Sequence, residues 1–452
     1  MTPADVVARV LAAALLDGEW EPVAMRGRAA AALGSDRRWL QALARAACRR
    51  FAAAPADALG ELAAWIRAQR PFVRAVGDRR HPIQVVRYPT PAPEMRESPW
   101  QVPPLATSRE LATWLDLDLR ALEVLADRRN LSRASPHPPA RHYRHTWIPK
   151  PAGGHRLVEA PKPRLRAAQR RILDGILAAI PPHDAAHGFR AGRSVIGFAA
   201  LHVGRDAVLR LDLEAFFASV VAARVSGLFR VAGYPEEVAR TLAALCTHRT
   251  PADVLAAAPA PEPTDLARLR ARHLPQGAPT SGALANLAAY RLDVRLAALA
   301  ATLGARYGRY ADDLVLSGDR TLLRAAPSVI ARVGAIAFDE GFTLNFRKTR
   351  VMSAARRQRV TGVVVNRKPS PPRADVERLR AILHNCLRTG PAAQNRDGHP
   401  DFRAHLAGRI SWIASLAAAK GARLRAAFDR IAWKPPAAAS GSEPAPDDAA
   451  RP

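Results

Sequence analysis

The stretch YADD, Tyr310–Asp313, places two adjacent carboxylates between an Arg- and Tyr-rich run, Arg306–Tyr310, and the alternating Leu314–Leu316. This pattern predicts a strand, a two-residue turn and a second strand, with both acids at the hairpin tip. Asp also favours turns for reasons unrelated to chemistry, so a solvated tip is the alternative. Two like charges are costly to bury unless a cation compensates them, which makes a divalent metal ion the natural partner.

A third acid lies in a matching setting earlier in the chain. In Ala207–Leu213, leucines at positions 209, 211 and 213 mark one buried face of a strand and place Asp212 on the other face, at its end. Three carboxylates on neighbouring strand ends suit a pair of Mg²⁺ ions, with Mn²⁺ as an alternative metal. Two ions roughly 3.5–4 Å apart favour in-line phosphoryl displacement, so the pattern indicates nucleotidyl transfer.

Four ordered motifs resemble those of the reverse transcriptases. They are RLDLEAFF (Arg210–Phe217), LPQGAPTS (Leu274–Ser281), YADD, and GFTLNFRKT (Gly341–Thr349). The likeness runs from Tyr143 to Lys368. It implies an α+β right-hand polymerase with fingers, an antiparallel-sheet palm and a helical thumb, which uses dNTPs for RNA-directed DNA synthesis.

Within that family the chain resembles the retron reverse transcriptases, bacterial enzymes that copy part of a structured noncoding RNA into branched DNA. The likeness is carried by QGAPTS in the second motif, by Leu245–His248 ahead of it and by Val360–Asn366 behind it. Two positions depart from the family pattern: Phe198 replaces an Asn, and Gly282 replaces a Pro. The resemblance implies a cognate noncoding RNA, an RNA–DNA product primed from a 2′-hydroxyl, and anti-phage defence with an effector or toxin protein.

Two alternative functions remain open from the sequence. One is another reverse transcriptase class, of the group II intron or diversity-generating kind. The other is a noncatalytic RNA-binding scaffold descended from a polymerase. The intact acids speak against a scaffold, because a protein that only binds a polyanion has no need for clustered carboxylates.

The resemblance also assigns catalytic roles. It implies that Asp212 and Asp312 hold both metal ions, that the carbonyl of Leu213 completes one coordination shell, and that Asp313 supports the site more loosely. Lys348 matches the lysine of the fourth motif, where it would donate a proton to the leaving pyrophosphate or neutralise it. A plain surface lysine is the alternative.

A hairpin is predicted over 146–158, turned by Gly153 and Gly154. Basic side chains on such a flap can clamp a triphosphate, and the resemblance to the fingers of reverse transcriptases assigns this role to Lys150 and Arg156. Solvated surface cations are the alternative for both.

Further nucleotide contacts are expected next to the acids. A bulky ring at Phe217 would clash with a 2′-hydroxyl, and in reverse transcriptases the residue at this spacing selects deoxynucleotides. Neighbours leaving a strand face different ways, so only one of Phe216 and Phe217 need be core. By resemblance Gln276 contacts the incoming nucleotide and the template, and Gly277 lets the backbone approach the ligand closely.

Three residues are expected to contact nucleic acid. Arg193 lies in a loop that resembles the family's template-strand loop, and Arg409 lies on a predicted thumb helix. His202 matches the His of a retron motif, with a buried core histidine as the alternative. A basic helical thumb would grip A-form duplex through its backbone and minor groove.

Charge agrees with a nucleic-acid partner. The 452 residues hold 68 Lys+Arg and 40 Asp+Glu, a net charge of +28. High-GC coding bias also produces Arg, but residues 367–434 alone carry 14 basic and 5 acidic side chains, an excess of +9. Many of these are expected to contact phosphates, so that affinity falls steeply with salt.

The three cysteines, Cys48, Cys246 and Cys386, fit neither a disulfide framework nor a zinc-ligand spacing. No apolar run has the length of a membrane span, and Met1–Gly18 lacks the pattern of a signal peptide. We therefore expect a cytoplasmic protein without a membrane partner.

The predicted organisation has five parts. Residues 1–78 form an N-terminal helical accessory region, 79–140 a Pro-rich linker and helix, 141–366 the fingers and palm, 367–435 the thumb, and 436–452 a disordered tail.

Overall fold

A computed structural model describes residues 3–51, 59–78, 80–87, 94–131, 141–150, 153–259 and 263–433; the predicted tail lies outside them. The chain divides into two compact units. The first takes in the described residues up to Glu97, together with Pro104–Leu111 and Gly233–Val238. The second holds the rest of the described chain, including all the acids considered above.

The first unit is built mainly from Ala-rich helices, as the apolar periodicity predicts. Five of them are Pro3–Leu16, Pro22–Leu33, Arg38–Arg50, Leu59–Ala68 and Arg70–Gly77. Their core buries Leu33 and Leu43, and Trp20, Trp39 and Trp65 pack against it while partly buried. Ala lets these helices approach closely, so the large rings fill the remaining gaps.

The single helix expected after the Pro-rich segment is divided in two. Ser108–Trp114 is followed by Leu119–Ala126, and between them Asp116 takes a positive φ of 59°. A left-handed residue cannot continue an α-helix. Asp118 restarts the chain as an N-cap, its side chain accepting a hydrogen bond from the Ala121 amide.

The second unit is organised around a four-stranded antiparallel sheet. Its strands are β3 (Ala207–Asp212), β4 (Arg306–Tyr310), β5 (Asp313–Gly318) and β6 (Arg350–Ser353), in the order β4-β5-β3-β6. The predicted leucine face of β3 is buried, and most of β5 is buried too. The central strands are covered because apolar residues dominate them.

Two hairpins complete the strands. The predicted flap is β1 (Tyr143–Pro149) paired with β2 (His155–Pro161), and Gly153 and Gly154 in its turn both have positive φ. A short pair follows the sheet, β7 (Arg359–Val360) with β8 (Val363–Val364). The flap prediction is therefore confirmed.

Helices connect most of the strands along the chain. Those that lie wholly or mostly in the second unit are Pro163–Gly175, Val195–Ala200, Ala222–Val231, Glu236–Cys246, Ala252–Ala256, Pro263–Arg270, Ser281–Ala288, Tyr290–Thr302, Arg320–Arg324 and Ala326–Asp339. The second motif leads into the helix Ser281–Ala288, for which Thr280 is the N-cap.

The fourth motif does not form a strand, although its apolar residues alternate at positions 342, 344 and 346. Leu344 makes one isolated bridge to Leu213, and the chain then turns through a 3₁₀ segment, Phe346–Lys348. Phe342 and Leu344 are buried but Phe346 is 62% exposed. The apolar alternation therefore marks a segment that joins the end of β3 through one bridge and does not continue as a strand.

The C-terminal region forms three helices, Arg373–Thr389, Phe402–Leu416 and Ala418–Asp429. They share a core that includes Leu379, Leu383, Leu406, Ile410, Ile413, Leu424, Phe428 and Ile431. This confirms the helical periodicity read from the sequence. Within the part of the chain that is described, no helix is long and apolar enough to cross a bilayer.

Candidate active site

The strand register brings the two acidic motifs together. In the pairing of β3 with β5, Asp212 lies directly opposite Asp313. Opposed residues of antiparallel strands have Cα atoms about 4.5–5.5 Å apart, so the carboxylates of the two motifs share one sheet edge. Convergence of these acids, the main prediction from the sequence, is thus present in the fold.

Asp312 lies in the turn between β4 and β5, after Ala311, whose φ is +57°. Register pairing of Tyr310 with Asp313 leaves only these two residues in the loop, as predicted. The Asp312 carbonyl accepts a hydrogen bond from the Leu213 amide at 2.9 Å, which ties the turn to the end of β3. Backbone bonds rather than side chains therefore set the position of this acid.

Negative charge is concentrated at this edge. Burial, reinforced by the charges of Asp212 and Asp313, raises the pKa of Asp312 to about 6. Burial also raises the pKa of Asp313, against the opposing effect of Arg210. Each shift has the sign expected when carboxylates crowd together in partial shelter from water.

Two basic side chains compensate part of this charge. Lys348 Nζ lies 2.8 Å from Asp212 Oδ2, and Arg210 Nε lies 2.9 Å from Asp313 Oδ1. In the described part of the chain, no cation lies within 4.0 Å of the Asp312 carboxylate. Three acids thus face two cations, and an oxygen-rich, half-buried site with surplus negative charge fits hard divalent ions.

The backbone near Asp212 is also arranged around the acids. The Asp212 carbonyl accepts from the Asn345 amide, and the Glu214 amide donates to the Thr343 carbonyl, each at 2.8 Å. Neither bond uses the Leu213 carbonyl, which is the oxygen expected to bind a metal ion. Its role in coordination stays a prediction.

A buried ion pair lies beneath the YADD turn. Arg309 and Asp293 are both fully buried, with Nη2 and Oδ2 2.6 Å apart. Arg309 also donates to the Asn286 side chain at 2.9 Å and to the Ala311 carbonyl at 3.1 Å. The sequence analysis did not identify this network, although Arg309 belongs to the Arg- and Tyr-rich run before YADD.

Comparison with known proteins agrees with this geometry. The family model described as reverse transcriptase (RNA-dependent DNA polymerase) matches residues 148–365, which contain all three acids. The retron Mx65 reverse transcriptase of Myxococcus xanthus is 42% identical over 304 residues, 66% of each chain. The chain belongs to the retron-type reverse transcriptases.

Other retron enzymes are also similar to this chain. The retron Mx162 enzyme of Myxococcus xanthus is 37% identical over 64% of this chain and 61% of its own length, and the retron Ec86 enzyme of Escherichia coli is 30% identical over 51% and 65%. The chain thus spans a little under two thirds of these curated relatives. The family has the right-hand polymerase fold, so the antiparallel sheet is its palm.

The aromatic pair after Asp212 divides between core and surface in this reverse transcriptase. Phe216 is 4% exposed and Phe217 is half-buried, so only the first is a core residue. The Phe217 ring lies 5.6 Å from that of Phe189, a neighbour that the sequence analysis missed. Phe217 is available to a ligand, as its predicted role requires.

The second motif lies against the flap of the reverse transcriptase. The Gln276 carbonyl accepts a hydrogen bond from the Glu159 amide at 2.8 Å. A side chain on Gly277 would meet the Glu159 carbonyl at 3.2 Å, and the φ of Gly277 is +126°. Glycine is therefore needed here for the close approach of two backbones, while the Gln276 side chain is half-buried.

Basic residues predicted to bind substrates are accessible. Lys150 and Arg156 are exposed on the flap, Arg193 is exposed in its loop, and Arg409 is half-buried on the helix Phe402–Leu416. Arg193 Nη2 lies 3.7 Å from Asp184 Oδ1. Accessibility permits the predicted contacts with triphosphate and nucleic acid, and these stay predictions.

The assignment of His202 to nucleic-acid contact is wrong. The residue is fully buried, and its Nδ1 is 2.8 Å from Ser317 Oγ on β5. The core alternative is therefore correct. Burial, aided by the charge of His187 and of nearby arginines, lowers the pKa of His202 to about 3.

This histidine makes stability depend on pH. Because its folded pKa lies below the ordinary value of about 6.5, the stabilisation is complete above pH 6.5 and is lost as pH falls towards 3. We expect the free energy of unfolding to fall between pH 7 and pH 5, by at most about 1.4 kcal/mol per pH unit from this group. The free energy of unfolding, measured by urea titration at several pH values, should depend less on pH in His202→Gln than in the unaltered protein. The exposed His384→Gln should show the same pH dependence as the unaltered protein. An equal pH dependence in all three proteins would contradict the argument.

A second polar cluster lies at the base of the flap. His145, Glu159 and His248 have potential metal-ligand atoms within 4.8 Å of one another. His273 Nε2 lies 2.9 Å from Glu159 Oε2, and Thr250 donates to Glu159 Oε1 at 2.7 Å. Burial raises the pKa of Glu159, but the hydrogen bond and charge of His273 outweigh it and hold the value at about 2.

Ring orientation argues against a metal ion in this cluster. The Nε2 atoms of His145 and His248 are 3.0 Å apart while the ring centroids are 5.2 Å apart, so the rings point almost head-on at each other. That is the geometry of an N–H···N hydrogen bond. Imidazoles that share an ion instead aim their lone pairs at a common point to one side. The cluster therefore fastens the flap to the loop around His248.

Proposed function

We propose that this chain is an RNA-directed DNA polymerase that copies a cognate structured noncoding RNA into branched single-stranded DNA. The observation that carries the proposal is the register pairing of Asp212 with Asp313, with Asp312 in the adjoining turn. Retron reverse transcriptases are the relatives at 42% and 37% identity, which favours this class over intron and diversity-generating enzymes.

We assign metal binding to the three acids. Asp212 and Asp312 would hold two Mg²⁺ ions, or Mn²⁺, with help from the Leu213 carbonyl, and Asp313 would support them. Bound there, the ions stabilise the attacking and leaving oxygens of an in-line displacement. The assignment is supported by the three acids at this edge, of which Asp212 is paired with Lys348 and Asp313 with Arg210.

The remaining residues bind and orient the substrates. Phe217 would exclude a nucleotide 2′-hydroxyl, while Gln276 and Gly277 border the incoming dNTP. Lys150 and Arg156 on the flap would hold the triphosphate, because Arg forms bidentate bonds with phosphate and Lys supplies a point charge.

We extend the same proposal to the domains and partners. Residues 141–366 would be fingers and palm, and 367–435 a thumb that grips the RNA–DNA duplex with Arg409, while Arg193 contacts the template. The N-terminal region, 1–78, and the segment 79–140 would be accessory. The resemblance to the retron family implies a role in anti-phage defence with an effector or toxin protein, and the three separated cysteines favour a cytoplasmic enzyme.

Two measurements test the proposal. Purified protein with an RNA template, dNTPs and Mg²⁺ should extend a primer, and chelation of the metal should stop it. Sequencing of copurified nucleic acid should reveal a molecule in which DNA is joined to a 2′-hydroxyl of RNA. Extension without such a molecule would favour another reverse transcriptase class, and no extension would favour a scaffold.

Lys348 supplies a prediction for the chemical step. Its Nζ, 2.8 Å from Asp212, is close enough to the acids to assist a departing pyrophosphate. We expect Lys348→Met to slow single-nucleotide incorporation roughly 10²-fold under single-turnover conditions, since loss of a general acid typically costs 10²–10⁴-fold. Lys420→Met, which removes an exposed lysine, should leave the rate at saturating template unchanged. An unaltered rate in Lys348→Met would make this residue a plain surface lysine.

A further inference from the structure

Phe189 has an unusual combination of exposure and backbone conformation. Its side chain is 55% exposed, and its φ is +57°. Bulky residues rarely adopt this left-handed region, and they stay there only where surrounding contacts fix the backbone. An exposed aromatic residue in this conformation therefore calls for contacts that hold it.

The segment before Phe189 is fixed to the catalytic hairpin. The His187 amide donates to the Arg309 carbonyl at 2.8 Å, and Ala186 forms a parallel bridge with Arg309. Gly188 lies so close to the turn that a Cβ there would be 2.6 Å from the Ala311 amide nitrogen. The backbone that carries Phe189 is thus held by the strand that leads into YADD.

The same segment is fixed to the helix of the second motif. The Asn286 side-chain amide donates to the Gly188 carbonyl at 2.7 Å, and both Asn286 and that bond are buried. Asn286 in turn accepts from Arg309 at 2.9 Å. These contacts leave the chain little freedom at the point where Phe189 begins.

Gly282 provides the space that the Phe189 ring occupies. A Cβ on Gly282 would lie 2.6 Å from Phe189 Cγ and 2.7 Å from its Cβ, distances that real contacts do not reach. The φ of Gly282 is not positive, so a side chain is excluded here by the ring and not by the backbone. This is the position at which the chain departs from the Pro of its family pattern. The glycine at position 282 thus leaves room for the Phe189 ring, which a proline there would exclude.

The Phe189 ring also contacts the ring of Phe217. The two centroids are 5.6 Å apart with an interplanar angle of 57°, an ordinary tilted aromatic contact. Phe216, the residue next to Phe217, is held by the core, but Phe217 itself is half-buried. The Phe189 ring therefore restricts the movement of the Phe217 ring on the side where the two rings meet.

We propose that Phe189, seated on Gly282, is the positioning residue that holds Phe217 in place to discriminate deoxynucleotides from ribonucleotides. The inference rests on the proposed role of Phe217. A steric filter works only if its ring cannot yield to the 2′-hydroxyl, and displacement by about 1 Å can change rates 10²-fold. Phe189 supplies the resistance, while the buried Asn286–Gly188 bond keeps Phe189 from moving.

The test compares kcat/KM for a dNTP and for the matching rNTP on one RNA template. Phe217→Ala should lose most of the discrimination. Phe189→Ala should lose roughly tenfold of it, mainly through faster rNTP incorporation with little change for the dNTP. Gly282→Ala, which displaces the Phe189 ring without removing it, should act in the same direction. Phe338 is 78% exposed on the helix Ala326–Asp339, so Phe338→Ala is the matched control and should behave as the unaltered enzyme.

The outcomes separate this inference from the proposed function. Unchanged discrimination in Phe217→Ala would overturn the role of Phe217 and the inference with it. A loss in Phe217→Ala, with discrimination intact in both Phe189→Ala and Gly282→Ala, would overturn the inference alone. Slower dNTP incorporation at constant discrimination would mean that Phe189 stacks on a base, and would also overturn it. If Phe189→Ala does not fold, Phe189→Leu and Gly282→Ala give the same comparison.

Discussion

Replacing Asp312 by Asn should abolish Mg²⁺-dependent DNA synthesis, with a fall of at least about 10³-fold in the rate of nucleotide incorporation. The amide has the size of the carboxylate but lacks the charge that a hard cation requires. The backbone bond from the Leu213 amide to the Asp312 carbonyl is untouched, so the turn should keep its shape. Loss of activity would then reflect chemistry and not misfolding.

RNA binding should separate this effect from a loss of substrate. Asp312 lies beside Asp212 and Asp313, whose charges add to the effect of burial in raising its pKa, so removing its charge lessens repulsion towards a polyanion. We therefore expect RNA affinity in a filter-binding assay to be nearly unchanged or slightly higher. Asp397→Asn, at an exposed position in the C-terminal region, is the control for both assays. Synthesis retained in purified Asp312→Asn would refute the assignment of this acid to metal binding.

Arg309→Met should destabilise the second unit strongly. The substitution leaves the fully buried Asp293 without its cation and removes a donor from Asn286 and from the Ala311 carbonyl. Breaking one half of a buried ion pair typically costs about 3–5 kcal/mol, because the remaining charge stays desolvated. Burial lowers the pKa of Arg309, but the charge and hydrogen bond of Asp293 more than reverse this, so the guanidinium keeps its charge in the fold.

A double variant distinguishes an uncompensated charge from lost packing. Arg309→Met combined with Asp293→Leu removes both charges and should recover most of the lost stability in urea unfolding. The surface pair Arg373–Glu377 has the same 2.6 Å separation but is largely exposed, so Arg373→Met should leave the unfolding midpoint nearly unchanged. An equal loss in the single and double variants at 309 would contradict the argument.

The sequence predicted the features that depend on local patterns. Alternating leucines located Asp212 at a strand end, and the two-residue spacing in YADD located the turn, because a period of two fixes which side chains share a face. Local patterns were insufficient where one segment meets another. The alternating segment Phe342–Phe346 forms no strand, since only Leu344 makes a bridge, to Leu213.

The residues that the sequence did not indicate were missed for a different reason: their contacts join segments far apart in the chain. Arg309 pairs with Asp293 on a helix, while Phe189 contacts Phe217 in the first motif and lies against Gly282 just after the second. Nothing in the spacing of these residues indicates which of them will be neighbours. The one available signal was Gly282 itself, a departure from the family pattern that the structure explains by the ring beside it.

The opposition of Asp212 and Asp313 across β3 and β5 has a consequence for how the enzyme matures. A slip of one residue between these strands would turn the leucines outward and carry the acids to opposite surfaces. Correct assembly of the hydrophobic interior and of the catalytic edge is therefore a single event. A chain whose strands pair one residue out of register could neither bury these leucines nor bring Asp212 and Asp313 to one edge.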